Sequence, residues 1–350
     1  MFAGRKQSLH HVTMLPQKKT IEDLARELNL SKSTVSRALH DSYQIGEDTK
    51  QKVHSLADKW GFQLNPQARG LKTHRSFTLG VVVPEIAHKY FSSAISGIQQ
   101  VVLPAGYNVL IGQANESAEQ EYKVVRQLVA SRVDGLIMSL SGQTYYHEYL
   151  QALLKDGFPV IMFDRVSDEV DCSKVIIDHE AAAFKAIEHL IEQGCRRIAH
   201  LSGPQVLSIA QNRIKGIKRA LKAHDLPLIP EFLIENGTNP EHTPSHIEWL
   251  MQQPNPPDGI SCFNDDVAIN ALLTLKKAGI PVPDKVKIIG FNNEKECVVI
   301  EPNLSSIEHP VVEMGKEATR LFLKYIEKPN QKPQTIVFDT SLIVRQSTGG

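Results

Sequence analysis

The sequence predicts a small all-α headpiece followed by an α/β body of doubly wound parallel sheets, and three observations carry that prediction. Residues 20–39, TIEDLARELNLSKSTVSRAL, show helical periodicity twice with a turn signal between. From Thr78 onward, short apolar runs alternate with amphipathic helical patterns. The charge splits at the same place: residues 1–75 hold 13 Lys and Arg against 7 Asp and Glu, whereas the remainder holds 26 against 32.

In the first helix Thr20 is the expected N-cap, with Asp23 three positions on as its capping-box partner. Ile21, Leu24, Ala25 and Leu28 then fall at i, i+3, i+4 and i+7, one apolar stripe. Asn29 tolerates the left-handed conformation of a sharp turn, and Ser31 caps a second helix whose inward positions are Val35, Ala38 and Leu39. Lys32, Ser33, Ser36 and Arg37 face outward, all with hydrogen-bonding side chains. A polar, cationic second helix is the mark of a helix-turn-helix, although the pattern alone leaves an ordinary packed hairpin open. Glu47 to Trp60 reads as a third helix stopped by Gly61.

Residues 65–73, NPQARGLKT, read as a linker or as one or two helical turns entered through Pro66, carrying Arg69 and Lys72 to one side. A helix that short orders only when something holds it.

In the body, strands are expected at 78–83, 107–112, 135–140, 159–163, 174–178, 197–202, 259–263 and 287–291. Helices are expected at 91–103, 119–130, 180–193, 213–224 and 265–278. Nearly continuous apolar strands between amphipathic helices imply parallel sheets covered on both faces, with ligands at the carboxyl ends of the strands.

Composition bounds the function. With 41% hydrophobic and 22% charged residues, the 350-residue chain is an ordinary globular protein. Zero formal net charge argues against nucleic acid, but a basic head on an acidic body suits a phosphate-binding module. Cys172, Cys195, Cys262 and Cys297 form no CxxC pair and suit reduced cytosolic thiols. No run has the length of a membrane span and the N-terminus lacks a secretory core, so a cytoplasmic location is expected. Residues 1–18 read as a disordered leader, with Met14 as an alternative start.

No dinucleotide fingerprint, Walker loop or nucleophile elbow occurs, so neither a catalytic residue nor a cofactor is assigned. His242 and His246 are flanked by Pro240 and Pro244 and read as a loop rather than a metal-binding face.

With these parts in place the chain resembles transcription regulators of the lactose-repressor (LacI/GalR) family over Lys19 to Thr348. The resemblance rests on ordered motifs: the helix pair, WGF, ARGLKT, LGVVVPEI, RVDGLIM, a strand ending FDR, IEHLIEQGCRRIAHLSGP, NDDVAINAL, VKIIGFNN, MGKEATRLFL and VRQST. It implies a helix-turn-helix headpiece over 19–64, a hinge helix and linker over 65–76, and a periplasmic-binding-protein-like core of two subdomains over 77–350. It also implies a homodimer, or a dimer of dimers, on a near-palindromic operator.

On the DNA side Arg37 matches the family's base-reading arginine, and Lys32 and Ser33 match positions that vary with operator sequence. Thr34 and Ser36 contact phosphate or pack, and Thr20, Ser31, Asn65, Arg69 and Lys72 complete the expected set. Leu71 matches the residue that wedges into the minor groove. Gly70 stands where serine is common, and because Gly weakens a helix by about 1 kcal/mol relative to Ala, the hinge is expected to order only on DNA. Gly70→Ala is then expected to tighten operator binding.

On the effector side the resemblance and the strand ends point to Asp265 and Arg213 as the leading ligand contacts, with Tyr90 and Phe91 as stacking rings. Asp164 and Arg165 line the cleft or form a salt bridge, and Asn239, Asp178 and Asn292 follow. Asn292 replaces the family's usual Asp, and Leu207 and Ile209 stand where purine-responsive members carry polar groups. This leans towards a sugar, a sugar phosphate or another small polar metabolite. A sugar-binding receptor without DNA function is the rival reading, and an enzyme the third.

Overall fold

A computed structural model describes residues 19–39, 41–62, 75–142, 147–329 and 331–350. Contacts divide the chain into two compact units, Met1–Ser76 and Phe77–Gly350.

The first unit contains α1 (Ile21–Glu27), α2 (Lys32–Leu39) and α3 (Glu47–Trp60). Thr20 Oγ1 accepts from the Asp23 amide at 3.2 Å while the Asp23 carboxylate accepts from the Thr20 amide at 2.9 Å, the reciprocal capping box. Asn29 turns the chain at φ 55° and Ser31 Oγ accepts from the Thr34 amide at 3.1 Å. Gly61 ends α3 at φ 59°, a left-handed cap that a side chain would disfavour. Leu24, Ala25, Val35, Ala38, Val53 and Ala57 form the buried centre, which leaves the polar face of α2 outward.

The second unit holds two six-stranded sheets of the same order. Sheet A contains β1 (Thr78–Val83), β2 (Asn108–Gln113), β3 (Leu136–Met138), β4 (Val160–Phe163), β5 (Ser173–Ile177) and β11 (Thr335–Phe338), in the order 11-5-4-3-1-2. Sheet B contains β6 (Ile198–Ser202), β7 (Leu233–Glu235), β8 (Gly259–Cys262), β9 (Lys287–Asn292), β10 (Ser305–Glu308) and β12 (Ser341–Ile343), in the order 12-10-9-8-6-7. All pairings are parallel except β10 with β12. Strand order reverses around β1 and around β6, the switch points where such sheets open a crevice.

Burial follows the strand period of two. Leu79, Val81 and Val83 enter one apolar cluster and Val82 another, so β1 is covered on both faces. The helices are α4 (Lys89–Val102), α5 (Ala118–Ala130), α6 (Glu148–Lys155), α7 (His179–Glu192), α8 (Ser208–Ala223), α9 (Thr243–Met251), α10 (Asp265–Lys277) and α11 (Val311–Glu327). Helices α4 and α11 meet backbone to backbone. A Cβ on Gly97 would lie 2.1 Å from the Val312 carbonyl oxygen, and one on Gly315 would lie 2.3 Å from that of Ala94.

The chain crosses between subdomains three times: after β5, after β10 at His309 and Pro310, and between β11 and β12. Several elements differ from the sequence expectation. Helix α8 begins at Ser208, five residues before the expected Arg213. The stretch around His242 and His246 is not a loop: Pro244 sits in the first turn of α9, where its missing N–H breaks no helical bond. His246 Nδ1 lies 2.9 Å from Asn236 Oδ1, and no group of three or more metal-ligating side chains is found among the described residues. No described helix is long and apolar enough to cross a membrane.

Candidate DNA-reading face and effector cleft

On α2, Lys32, Ser33 and Arg37 are exposed while Val35 and Ala38 are buried, so one helix presents donors outward and anchors itself inward. Among the described residues, Arg37 is held only by surface contacts: Nε donates to the Ser33 carbonyl at 3.2 Å and Nη1 to Gln44 at 3.2 Å. Lys32 Nζ meets Glu22 at 2.6 Å, an exposed pair that phosphate or a base edge can displace at little cost. Ser31, Ser33 and Thr34 join their hydroxyls at 2.8 Å along the first turn of α2. Thr20 is taken up in the capping box. Asn65, Arg69, Leu71 and Lys72, with Pro66 and Gly70, lie outside the described residues.

Between the sheets of the core, the carboxyl ends of the strands converge. His88, Tyr90, Phe91, Asp164 and Arg165 come from the sheet A side. Ile209, Arg213, Thr238, Phe263, Asn264, Asn292 and His309 come from the sheet B side and its crossover. The space they leave is about 30 Å3, room for about one water molecule.

Arg213 dominates this space. It is 4% exposed, lies between Phe291, 3.5 Å from the ring centroid, and Phe263, at 4.7 Å, and donates to the Phe263 carbonyl. Its Nε reaches His179 Nδ1 at 3.4 Å, and among the described residues it forms no ion pair within 4.0 Å. Burial lowers its proton affinity, to a pKa of about 10, with Asp164 opposing. Arg165 is neutralised instead: Nη1 meets both Glu116 oxygens at 2.7 and 2.8 Å, and its Nε is buried without a partner.

Asp164 follows β4 in the left-handed region at φ 60°. Burial raises its carboxyl, and Arg165, Arg213 and the Tyr90 hydroxyl pull it back. Tyr90 Oη lies 3.1 Å from His309 Nε2, and Phe91 stands edge-on to Tyr90 at 5.3 Å, so both rings are already packed. Burial and then Arg213 hold the His309 imidazole neutral, with a pKa pushed down to about 3. His179 is likewise held well below its usual range by burial and Arg213. Burial also lowers His88, against the pull of Asp266.

Of the sequence-derived cleft residues, Tyr90, Phe91, Asp164, Arg165, Arg213 and Asn292 come together here. Asp265 does not line the space. Asn264, one position earlier, caps α10 by accepting from the Val267 amide at 2.9 Å and faces the cleft. The Asp265 carboxylate turns beneath β9, where it accepts from Ser306 Oγ at 2.7 Å and from the Glu294 amide at 2.8 Å. Gly290 makes room for it, since a Cβ there would lie 2.1 Å from Asp265 Oδ1. Asn239 is also outside the lining and accepts from the Glu241 amide, while its neighbour Thr238 lines the cleft. Asp178 caps α7. His88, Asn264 and His309 went unnoticed in the sequence, yet each follows the end of a strand, which is the signal that finds them.

Residues 20–65 match the model of the lacI family of bacterial regulatory proteins, and residues 187–348 match the periplasmic binding protein-like domain. The chain is 30% identical over 329 residues to the HTH-type transcriptional repressor CytR of Escherichia coli strain K12, covering 94% of this chain and 96% of the relative. It is 28% identical over 330 residues to catabolite control protein A of Priestia megaterium, covering 94% and 99%. Among solved structures, the transcriptional regulator CelR–cellobiose complex matches at 25% identity and TM-score 0.70, covering 94% of this chain and 99% of that one. The lac repressor dimer bound to operator and anti-inducer shares the fold at TM-score 0.81 and 23% identity, covering 95% and 99%. The chain belongs to the lacI family of bacterial regulatory proteins, as a DNA-binding transcription regulator whose core takes an effector.

Proposed function

We propose that the chain is a repressor, not an enzyme, that binds a near-palindromic operator as a homodimer and is controlled by a sugar or sugar derivative held between the core subdomains. The headpiece at 19–64 reads DNA through Lys32, Ser33 and Arg37, residues 65–76 act as the hinge, and 77–350 form the effector and dimer core.

One observation carries the effector reading. A buried guanidinium without an ion pair, stacked on Phe291 and aimed into a cleft with Asp164, Asn264 and Asn292, offers donors and acceptors around an apolar platform. Rings of hydroxyls with apolar faces suit that arrangement. The relative whose structure holds cellobiose supports the same class. A ligand shifts operator affinity only by binding one subdomain arrangement better than the other. The nearly filled cleft is one such arrangement.

The test is a thermal-shift screen of mono- and disaccharides and sugar phosphates, followed by a gel shift on the DNA upstream of the chain's own gene with each hit. A salt-sensitive shift that a hit weakens or strengthens supports the proposal. DNA binding that no sugar alters overturns the effector class.

A further inference from the structure

Lys89 and Glu294 come from opposite subdomains and meet at the mouth of the cleft. Lys89 opens α4 beside the cleft residues His88 and Tyr90. Glu294 follows β9, two positions after the cleft residue Asn292. Lys89 Nζ lies 3.9 Å from Glu294 Oε2 and is in direct contact with Glu296 Oε1.

The two carboxylates differ in setting. Glu296 is partly exposed and its carboxyl is held down by the Lys89 ammonium. Glu294 has an 8% exposed side chain, and both its oxygens are buried without a hydrogen-bond donor. Its backbone amide is tied to Asp265. Asp265 and Asp266, in the first turn of α10, put two further negative charges beside it. The Lys89 ammonium is the cation facing Glu294, and it comes from across the cleft. A buried carboxylate among like charges is stabilised only while that cation stays near.

We propose that Lys89 is a positioning residue for effector binding: held between Glu294 and Glu296, it clasps the two subdomains at the cleft mouth and sets how far the cleft stands open. The role rests on the effector reading of the cleft, but the clasp itself is a property of the two subdomains. Burial first, then Asp266 and Asp265, raise Glu294 to about 7, and Lys89 pulls it back, so the charged carboxylate is costly in this setting and leans on the Lys89 ammonium.

The test uses the full chain without effector. A zero-length carbodiimide links an amine to a carboxylate only where the two touch. The expected product joins Lys89 to Glu296 or Glu294 by mass spectrometry, with Lys123–Glu119, an ion pair within one helix, as the control link. Hydrogen exchange of the segments 85–92 and 292–299 is then compared at pH 8 between the wild type, Lys89→Gln and Lys89→Arg. Protection should be about two- to five-fold lower in Lys89→Gln, the size a partly exposed pair supports, and unchanged in Lys89→Arg. A control link without the Lys89 link overturns the clasp, as does a rim equally protected in Lys89→Gln. Since no ligand enters either measurement, a protein that forms the clasp yet responds to no sugar overturns only the effector reading.

Discussion

Arg213 lies flat against Phe291, its guanidinium carbon 3.5 Å from the ring centroid. The ring occupies one face of the cation while the Phe263 carbonyl and His179 take donors at its edge, which fixes the plane of the fork. Lysine carries the same charge without that plane. Arg213→Lys is therefore expected to weaken binding of the sugar giving the largest wild-type thermal shift by about tenfold or more, the loss of one or two charge-assisted bonds. Operator affinity without sugar should stay within about threefold. Titration calorimetry and a gel shift read the two effects separately.

Among the described residues Arg37 makes only surface bonds, to the Ser33 carbonyl and to Gln44. Arg37→Ala should therefore leave melting within about 0.5 kcal/mol of wild type. It should weaken operator binding by about ten- to a hundred-fold, as loss of a bidentate base contact does, while affinity for scrambled DNA falls far less. Fluorescence anisotropy on both duplexes decides it. Equal losses on the two would make Arg37 a phosphate contact.

Burial, with Asp266 and Asp265 beside it, pushes the Glu294 carboxyl up to about 7 from its ordinary 4.5. The folded state thus holds this proton more tightly than the unfolded chain. Its contribution to stability is neutral below about pH 4.5, turns unfavourable as pH rises through the window to 7, and stays so above. Glu294→Gln should remove the penalty, raising stability at pH 8 by about 1–2 kcal/mol after allowance for solvent screening, with no gain at pH 4. Urea melts at the two pH values measure the difference.

Gly97 faces the Val312 carbonyl oxygen at a distance no Cβ tolerates. Gly97→Ala must push α4 away from α11, and about 1–3 kcal/mol of destabilisation is expected. Headpiece melting, followed separately by amide exchange in α3, should not change.

The α1 to α3 headpiece and strand β1 were legible to the residue, because capping pairs, a glycine stop and β-branched runs are local signals. The edges were harder to read. β7 and β12 have three residues each, and β11 leaves Val337 55% exposed, so they carry little hydrophobic pattern. Two prolines hid α9, although Pro244 sits where a helix accepts it. In the cleft, the motif NDD marks a turn that lines the space through Asn264 rather than Asp265. Which of the two faces the cleft depends on where α10 begins and on the space beside Gly290. The bond between Tyr90 and His309 joins positions 219 apart in sequence, and no local pattern encodes it.

The three crossings give the core an asymmetry of inheritance. Each half of the cleft is assembled from separated stretches of chain, with β11 and β12 returning from the far end to complete sheets begun long before. A gene fragment ending anywhere before β11 encodes neither half whole, and one ending before β12 still leaves sheet B incomplete. The boundary at Ser76 and Phe77 is crossed only once. Recombination can thus exchange what the protein reads on DNA in a single cut, while what it senses must be altered one side chain at a time or replaced entire.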